Sequence, residues 1–166
     1  MASTQQRVVV GLLTVLGLAV TAPPVSAQAA VYPDIDNYTA VNNEIYRVPD
    51  EEGVWLTTPL GIHCAIDDSG SYGCSGALPG GAAGDNEVAW FVGDPYPRLY
   101  ATAQPRFVSG AGQSILNGEH VIDYHGARCA VTRESGIYCV HGDDPNSQLM
   151  VTSARVLRGP DATPSS

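Results

Sequence analysis

The stretch Gly61-Ile62-His63-Cys64-Ala65-Ile66 recurs, with changes, as Gly126-Ala127-Arg128-Cys129-Ala130-Val131. In both copies a second cysteine follows ten positions after the first, at Cys74 and Cys139. Chance could produce the spacing alone, but it explains less well the spacing together with the shared Gly-x-x-Cys-Ala-aliphatic pattern. We therefore interpret the two stretches as related hairpins, produced by duplication or by one structural requirement met twice.

The first copy fits an antiparallel hairpin closed by its own two cysteines. Placing Cys64 opposite Cys74 puts Ile66 opposite Tyr72, and these four side chains then share one apolar face because side chains alternate along a strand. The connection that remains is Asp68-Ser69-Gly70, a three-residue loop whose last position must be left-handed. Glycine occupies that position, as the hairpin requires.

The second copy follows the same rule. Cys129 opposite Cys139 puts Val131 opposite Ile137, which again gives an apolar face. Its loop runs from Thr132 to Gly136 and is expected to end, like the first, on a left-handed glycine.

The pairing of the four cysteines has three solutions, which sequence alone cannot separate. Chain entropy favours a long-range bond such as Cys64–Cys139, at about 4.5 kcal/mol against about 2.5 to 3 kcal/mol for closing an 11-residue loop. Strand register and turn chemistry favour the local pairs Cys64–Cys74 and Cys129–Cys139. We expect the local pairs, with the long-range pairing as the alternative, and a structural role for the disulfides in either case.

The rest of the chain predicts an all-β fold. Short apolar runs rich in Val, Ile, Thr and aromatic residues are bounded by Gly, Pro, Asn or Asp, and no window keeps a helical apolar period for three turns. The expected architecture is a small single-domain sandwich or barrel containing the two disulfide-closed hairpins. The candidate strands are Val54–Thr58, Ile62–Ile66, Glu87–Val92, Val121–Tyr124, Arg128–Thr132, Ile137–Val140 and Gln148–Leu157.

The charge balance excludes several function classes. The chain has 8 basic residues, all arginine, against 17 acidic ones, and a formal net charge of -9. Such a chain is a poor binder of nucleic acids, because phosphate contacts need clustered Arg and Lys. The absence of lysine also excludes P-loop and Schiff-base chemistry.

The N-terminus is typical of a secretory signal peptide. Arg7 precedes an apolar run from Val8 to Ala22, and Val25-Ser26-Ala27 supplies small residues for cleavage after Ala27. The alternative is a membrane anchor, but the run is short for a bilayer span and Pro23-Pro24 ends it. We expect no stable membrane insertion after cleavage, and export to a compartment where disulfides persist.

Four segments follow from this interpretation. Residues 1–27 form the signal peptide, residues 28–45 a polar N-terminal extension, residues 46–158 the β domain and residues 159–166 a disordered tail.

Catalytic signals are weak. Asp123 and His125 would share one face of an extended strand and could form the acid–base pair of a small secreted hydrolase. An outward polar strand face beside a turn explains the same residues. Asp123 and His125 are the only catalytic candidates, and no metal site and no cofactor are predicted.

Ligand-binding signals concentrate in one aromatic stretch. Phe91, Tyr96, Arg98 and Tyr100 lie close together in the sequence. Exposed aromatic rings beside an arginine could contact a protein or a glycan. Packing of these rings beneath a loop is the alternative.

The segment Val54-Trp55-Leu56-Thr57-Thr58-Pro59-Leu60-Gly61-Ile62-His63-Cys64, followed by Cys74-Ser75-Gly76, resembles small exported, disulfide-containing proteins of mycobacteria and related actinomycetes. The resemblance covers roughly residues 54 to 142. It implies an exported protein with structural disulfides and supplies no reaction. Together with the residues, it leads us to expect a secreted, non-catalytic binding or structural protein of the cell envelope or extracellular space, with an unknown protein or glycan as partner.

Overall fold

The computed structural model describes residues 32–160, which form a β-sandwich of two mixed sheets with six strands each. The all-β prediction is confirmed. In this range the only helices are two short 3-10 helices, Asn43–Tyr46 and Pro145–Ser147, and none is long and apolar enough to cross a membrane. The strands are β1 Thr39–Ala40, β2 Val54–Thr57, β3 His63–Ile66, β4 Tyr72–Ser75, β5 Glu87–Trp90, β6 Arg98–Tyr100, β7 Ser114–Ile115, β8 His120–Tyr124, β9 Ala127–Val131, β10 Ile137–His141, β11 Leu149–Val151 and β12 Val156–Arg158.

The two sheets each contain one copy of the repeat. Sheet A has the order β1-β8-β9-β10-β11-β12, and sheet B has the order β6-β5-β4-β3-β2-β7. Their inner faces meet in one core to which both sheets contribute alternate residues. All four cysteines lie in that core with no exposed surface.

Each disulfide joins directly opposite positions of neighbouring strands. Cys64 bonds Cys74 between β3 and β4, and Cys129 bonds Cys139 between β9 and β10, with Cα atoms 4.1 Å apart in both pairs. The local pairing and the strand register predicted from the sequence are therefore confirmed.

The loop of the second hairpin is shorter than predicted, and its left-handed residue lies one position earlier. In the first hairpin Gly70 has a φ of 84°, as expected. In the second, Ser135 rather than Gly136 has the positive φ, at 67°. The amide of Thr132 donates to the carbonyl of Gly136, so this pair closes the hairpin and the loop is three residues long, as in the first copy. The geometry of the turn is thus repeated although the glycine is displaced by one position.

The two halves of the chain exchange their first short strands. β1 precedes the first repeat but pairs in parallel with β8 of the second, and β7 precedes the second repeat but pairs in parallel with β2 of the first. Neither half therefore completes its own sheet, and this reciprocal pairing ties both repeats into one domain. Neither strand was predicted from the sequence, since a two-residue strand has no detectable period.

The structure differs from the predicted segments at both ends of the domain. Residues 32–41, assigned to a polar extension, contribute β1 and cover the outer face of sheet A, where the ring of Tyr32 lies 5.3 Å from that of Tyr138. The Tyr32 hydroxyl also donates to the carbonyl of Gly159, which was assigned to the tail. The predicted signal peptide, residues 1–27, and residues 161–166 of the predicted tail lie outside the described residues.

Two predicted strands differ most from the structure, whereas the limits of the other five differ by a single residue at one or both ends. The run Glu87–Val92 ends as a strand at Trp90, because a turn follows in which the amide of Asp94 donates to the carbonyl of Phe91. Val92 is consequently 55% exposed instead of buried. The run Gln148–Leu157 contains two strands, β11 and β12, which form a hairpin.

Removing a disulfide should lower stability without changing the fold. We expect the Cys129→Ala/Cys139→Ala variant to lose about 3 kcal/mol of unfolding free energy, because an 11-residue loop is no longer closed in the unfolded chain. Urea unfolding followed by tryptophan fluorescence measures this loss. The equivalent Cys64→Ala/Cys74→Ala variant should lose a similar amount, and a negligible loss in either variant would contradict a structural role.

Candidate functional site

An open groove of about 480 Å³ lies on the outer face of sheet B. Three aromatic side chains, those of Trp55, Phe91 and Phe107, line it together with Ala65. The remaining lining residues are charged, and four of these five are acidic: Asp50, Glu51, Glu52, Asp67 and Arg106. Its volume lies within the range of small-molecule sites, at about 300 to 1,000 Å³.

A row of small residues explains why the outer face of sheet B is recessed. Ala65, Gly73 and Ala89 are directly opposite one another on β3, β4 and β5, and Trp55 on β2 faces Ala65. The ring of Phe107 packs against Gly73, where an added Cβ would overlap the ring. The aromatic rings thus rest on a floor of small side chains, and a depression remains beside them.

A buried carboxylate holds the Phe107 segment in place. Glu87 has no exposed surface, and its Oε2 accepts hydrogen bonds from the Ser75 hydroxyl and from the backbone amide of Arg106, both at 2.7 Å. Its Oε1 accepts one from the Tyr100 hydroxyl at 2.6 Å. Burial, followed by the hydrogen bond to Glu87 and the charge of Glu87, raises the pKa of Tyr100 above its usual value. Glu87 therefore serves to position the loop that forms one wall of the groove.

The acidic wall comes from the turn before β2. Asp50, with a φ of 64°, begins the acidic run Asp50-Glu51-Glu52, and the Trp55 indole donates to the carbonyl of Glu52 at 2.9 Å. Within residues 32–160 these three side chains make no hydrogen bond and no ion pair. Asp67 differs, because its Oδ1 accepts bonds from Ser69 and from the amide of Ser71 and so supports the hairpin loop. Three carboxylates of the wall are thus available to a ligand.

Two arginines contact the Phe91 ring. The guanidinium of Arg106 lies 5.3 Å from the ring centroid and that of Arg98 lies 5.6 Å from it, both within cation–π distance. Arg98 also pairs with Asp94 at 3.0 Å, whereas Arg106 lines the groove. Among the residues that the structure describes, Arg106 is consequently the one cationic residue in the groove lining.

The four residues named as ligand-binding candidates do not form one site. Phe91 lines the groove and Arg98 contacts its ring, but Tyr100 is engaged by the buried Glu87. Tyr96 is 52% exposed and lies against Gly159, away from the groove lining. Phe107 and Glu87 were not predicted from the sequence. The available signal was the acidic side chain of Glu87 at the start of an apolar strand.

Asp123 and His125 are not brought together as a catalytic pair. Asp123 is exposed on β8, opposite Arg128, whereas His125 lies in the turn to β9 with a φ of 48° and its ring 4.2 Å from that of Tyr124. The sequence predicts that the two side chains share a strand face. In the structure they do not, and no hydrogen bond or ion pair joins them. Among residues 32–160 no group of three or more His, Cys, Asp or Glu could hold a metal ion.

A second polar cluster joins the two halves of the sandwich. The Tyr124 hydroxyl donates to Asp68 at 2.6 Å and accepts from Arg47 at 2.9 Å, and the Arg47 guanidinium also lies 4.9 Å from the Tyr124 ring centroid. Arg47 further donates to the carbonyl of Gly53. These contacts connect the end of the 3-10 helix Asn43–Tyr46, the first hairpin loop and β8, so the cluster has a structural role.

Comparisons with known proteins identify neither a family nor a function for this chain. No model of a protein family matches the chain, and neither the curated proteins nor the solved structures give a match. The resemblance to exported actinomycete proteins therefore stays a prediction.

The packing of Phe107 on Gly73 can be tested by a double-mutant cycle. We expect Gly73→Ala to cost about 1 to 3 kcal/mol of unfolding free energy, since the new methyl group overlaps the ring. In a Phe107→Ala background the same change should cost less, because the overlapping ring is gone and only the contact with the Val88 carbonyl oxygen, 2.7 Å from the new Cβ, remains. Urea unfolding of the four proteins gives the coupling.

Gly110→Ala is the matched control, since a Cβ there has nothing within 4 Å. It should leave stability nearly unchanged. Equal costs of Gly73→Ala in both backgrounds would show that the Phe107 ring does not occupy the notch, the space beside the Cα atom of Gly73.

Proposed function

We propose that this chain is an exported, non-catalytic binding protein of the cell envelope or extracellular space, and that the groove on the outer face of sheet B is its ligand site. The observation that carries the proposal is the groove itself, in which Trp55, Phe91 and Phe107 lie beside Asp50, Glu51 and Glu52, three acidic side chains without a hydrogen bond or ion pair within residues 32–160. Aromatic and apolar surface combined with a few polar groups is typical of ligand sites.

The groove lining favours binding over group transfer. Within residues 32–160 the lining contains no histidine, serine or cysteine, and its charged residues are four acids and one arginine. The alternative, a hydrolase using Asp123 and His125, gains no support from the positions of those side chains, which lie outside this groove. A binding role requires only the contacts that the lining already offers.

Export is supported by independent features of the chain. The predicted signal peptide ends at Ala27, and two disulfides are typical of proteins that leave the cytosol. Each disulfide is buried in the core, so a folded protein depends on an oxidising compartment for the stability that they add. A ligand met outside the cytosol is therefore expected.

Ligand binding should depend on Phe91 and not on Tyr96. We expect a panel of neutral glycans, short peptides and organic amines, added to ¹⁵N-labelled protein of residues 28–166, to include ligands that shift the amide signals of groove residues. The change Phe91→Ser should weaken such a ligand by about tenfold, since one stacking ring is lost. Tyr96→Ala removes an exposed ring outside the groove and should change affinity less than about twofold.

A purely structural role predicts the opposite result for ligand binding. A purely structural envelope protein would show no groove-specific shifts with any member of the panel. Equal losses for Phe91→Ser and Tyr96→Ala would place the ligand elsewhere on the surface.

A further inference from the structure

We propose that the groove on sheet B takes a linear aliphatic amine, a flexible organic cation that carries two or more ammonium groups separated by methylene carbons. This inference rests on the proposed function and names the ligand class of the same site. The contacts of the groove, its charge and the placement of its one arginine support it.

The charge of the groove selects a cation. Four acidic residues line it and one arginine opposes them, so a ligand inside meets an excess of negative charge. Asp50, Glu51 and Glu52 make no ion pair within residues 32–160, and their carboxylates can pair with ammonium groups without displacing a protein partner. An anionic ligand would be repelled by the four acidic side chains and attracted by Arg106 alone among the charged lining residues within 32–160.

The aromatic wall selects a ligand with apolar carbon between its charges. Trp55 and Phe107 line the groove and lie almost wholly within the fold, each with less than a tenth of its surface exposed, whereas Phe91 is half-buried. The Trp55 indole N–H already donates to a backbone carbonyl, so that ring offers no strong hydrogen bond to a hydroxyl group. Methylene carbons pack on such rings, and an ammonium group beside a ring gains cation–π attraction.

Arg106 distinguishes this ligand class from a neutral sugar. Its backbone amide holds Glu87, but its guanidinium lies on the Phe91 ring, so truncating the side chain leaves the buried network intact. For a cation, Arg106 is a competitor: it repels the ligand and occupies a ring face. For a sugar, Arg106 would be a hydrogen-bond donor whose loss weakens binding.

Titration calorimetry with spermidine as the probe tests the proposal on protein of residues 28–166. We expect Glu51→Gln/Glu52→Gln to weaken binding about fivefold or more, because two ammonium–carboxylate contacts are lost. Arg106→Ala should tighten binding about threefold, since one like charge is removed. Raising the salt concentration should weaken binding.

The matched control is Glu134→Gln/Asp143→Asn, which removes two acidic charges outside the groove. It should change the affinity for spermidine less than about twofold. An equal loss in the control and in the groove variant would show that spermidine responds only to net charge, and would overturn the proposal.

Further outcomes separate this inference from the proposed function. Groove-specific shifts with a neutral disaccharide, weakened by Arg106→Ala, together with no binding of spermidine, would overturn the amine assignment and leave a binding function in place. No groove shift with spermidine or with any other member of the panel would overturn both.

Discussion

The two cross-strand disulfides constrain the rest of this fold. Each joins opposite positions of two adjacent strands, β3 to β4 and β9 to β10, in the middle of the shared core. A sheet register that slipped by one residue would turn every inner side chain outward, and a covalent bond between facing residues prevents that slip. The apolar inner faces and the recessed outer face of sheet B are both consequences of that fixed register.

The two repeats share this scaffold but use their outer faces differently. Gly73 of sheet B and Tyr138 of sheet A occupy equivalent positions, each one residue before the second cysteine of its hairpin. Tyr138 fills its position and packs under residues 32–38, which close that face. At Gly73 the notch admits the ring of Phe107, and the groove remains open beside it. The difference at this one position of the repeated hairpin thus separates a covered outer face from an outer face with an open groove.

The features that depend on neighbouring residues were predictable from the sequence. Those that depend on contacts between distant parts of the chain were not. Cysteine spacing and loop glycines were sufficient for the register of both hairpins, because turn and strand alternation act within about ten residues. The positions of β1 and β7 depend on strands some 60 to 80 residues away, and the Phe107 segment is held by Glu87 and Ser75, which accept hydrogen bonds from the amides of Arg106 and Phe107. The predicted Asp123–His125 face failed because His125 takes a left-handed turn conformation, which strand alternation does not describe.

A tryptic peptide map of unreduced protein recovered from culture medium tests the central claim most directly. Arg133 lies between Cys129 and Cys139, so cleavage separates residues 129–133 from residues 134–155, while Cys64 and Cys74 stay within residues 48–98. We expect residues 129–133 to be linked by a disulfide to residues 134–155, and residues 48–98 to be a single peptide lacking two hydrogens. A disulfide between residues 48–98 and either later peptide, or four free thiols, would contradict the paired-hairpin architecture and the groove that depends on it.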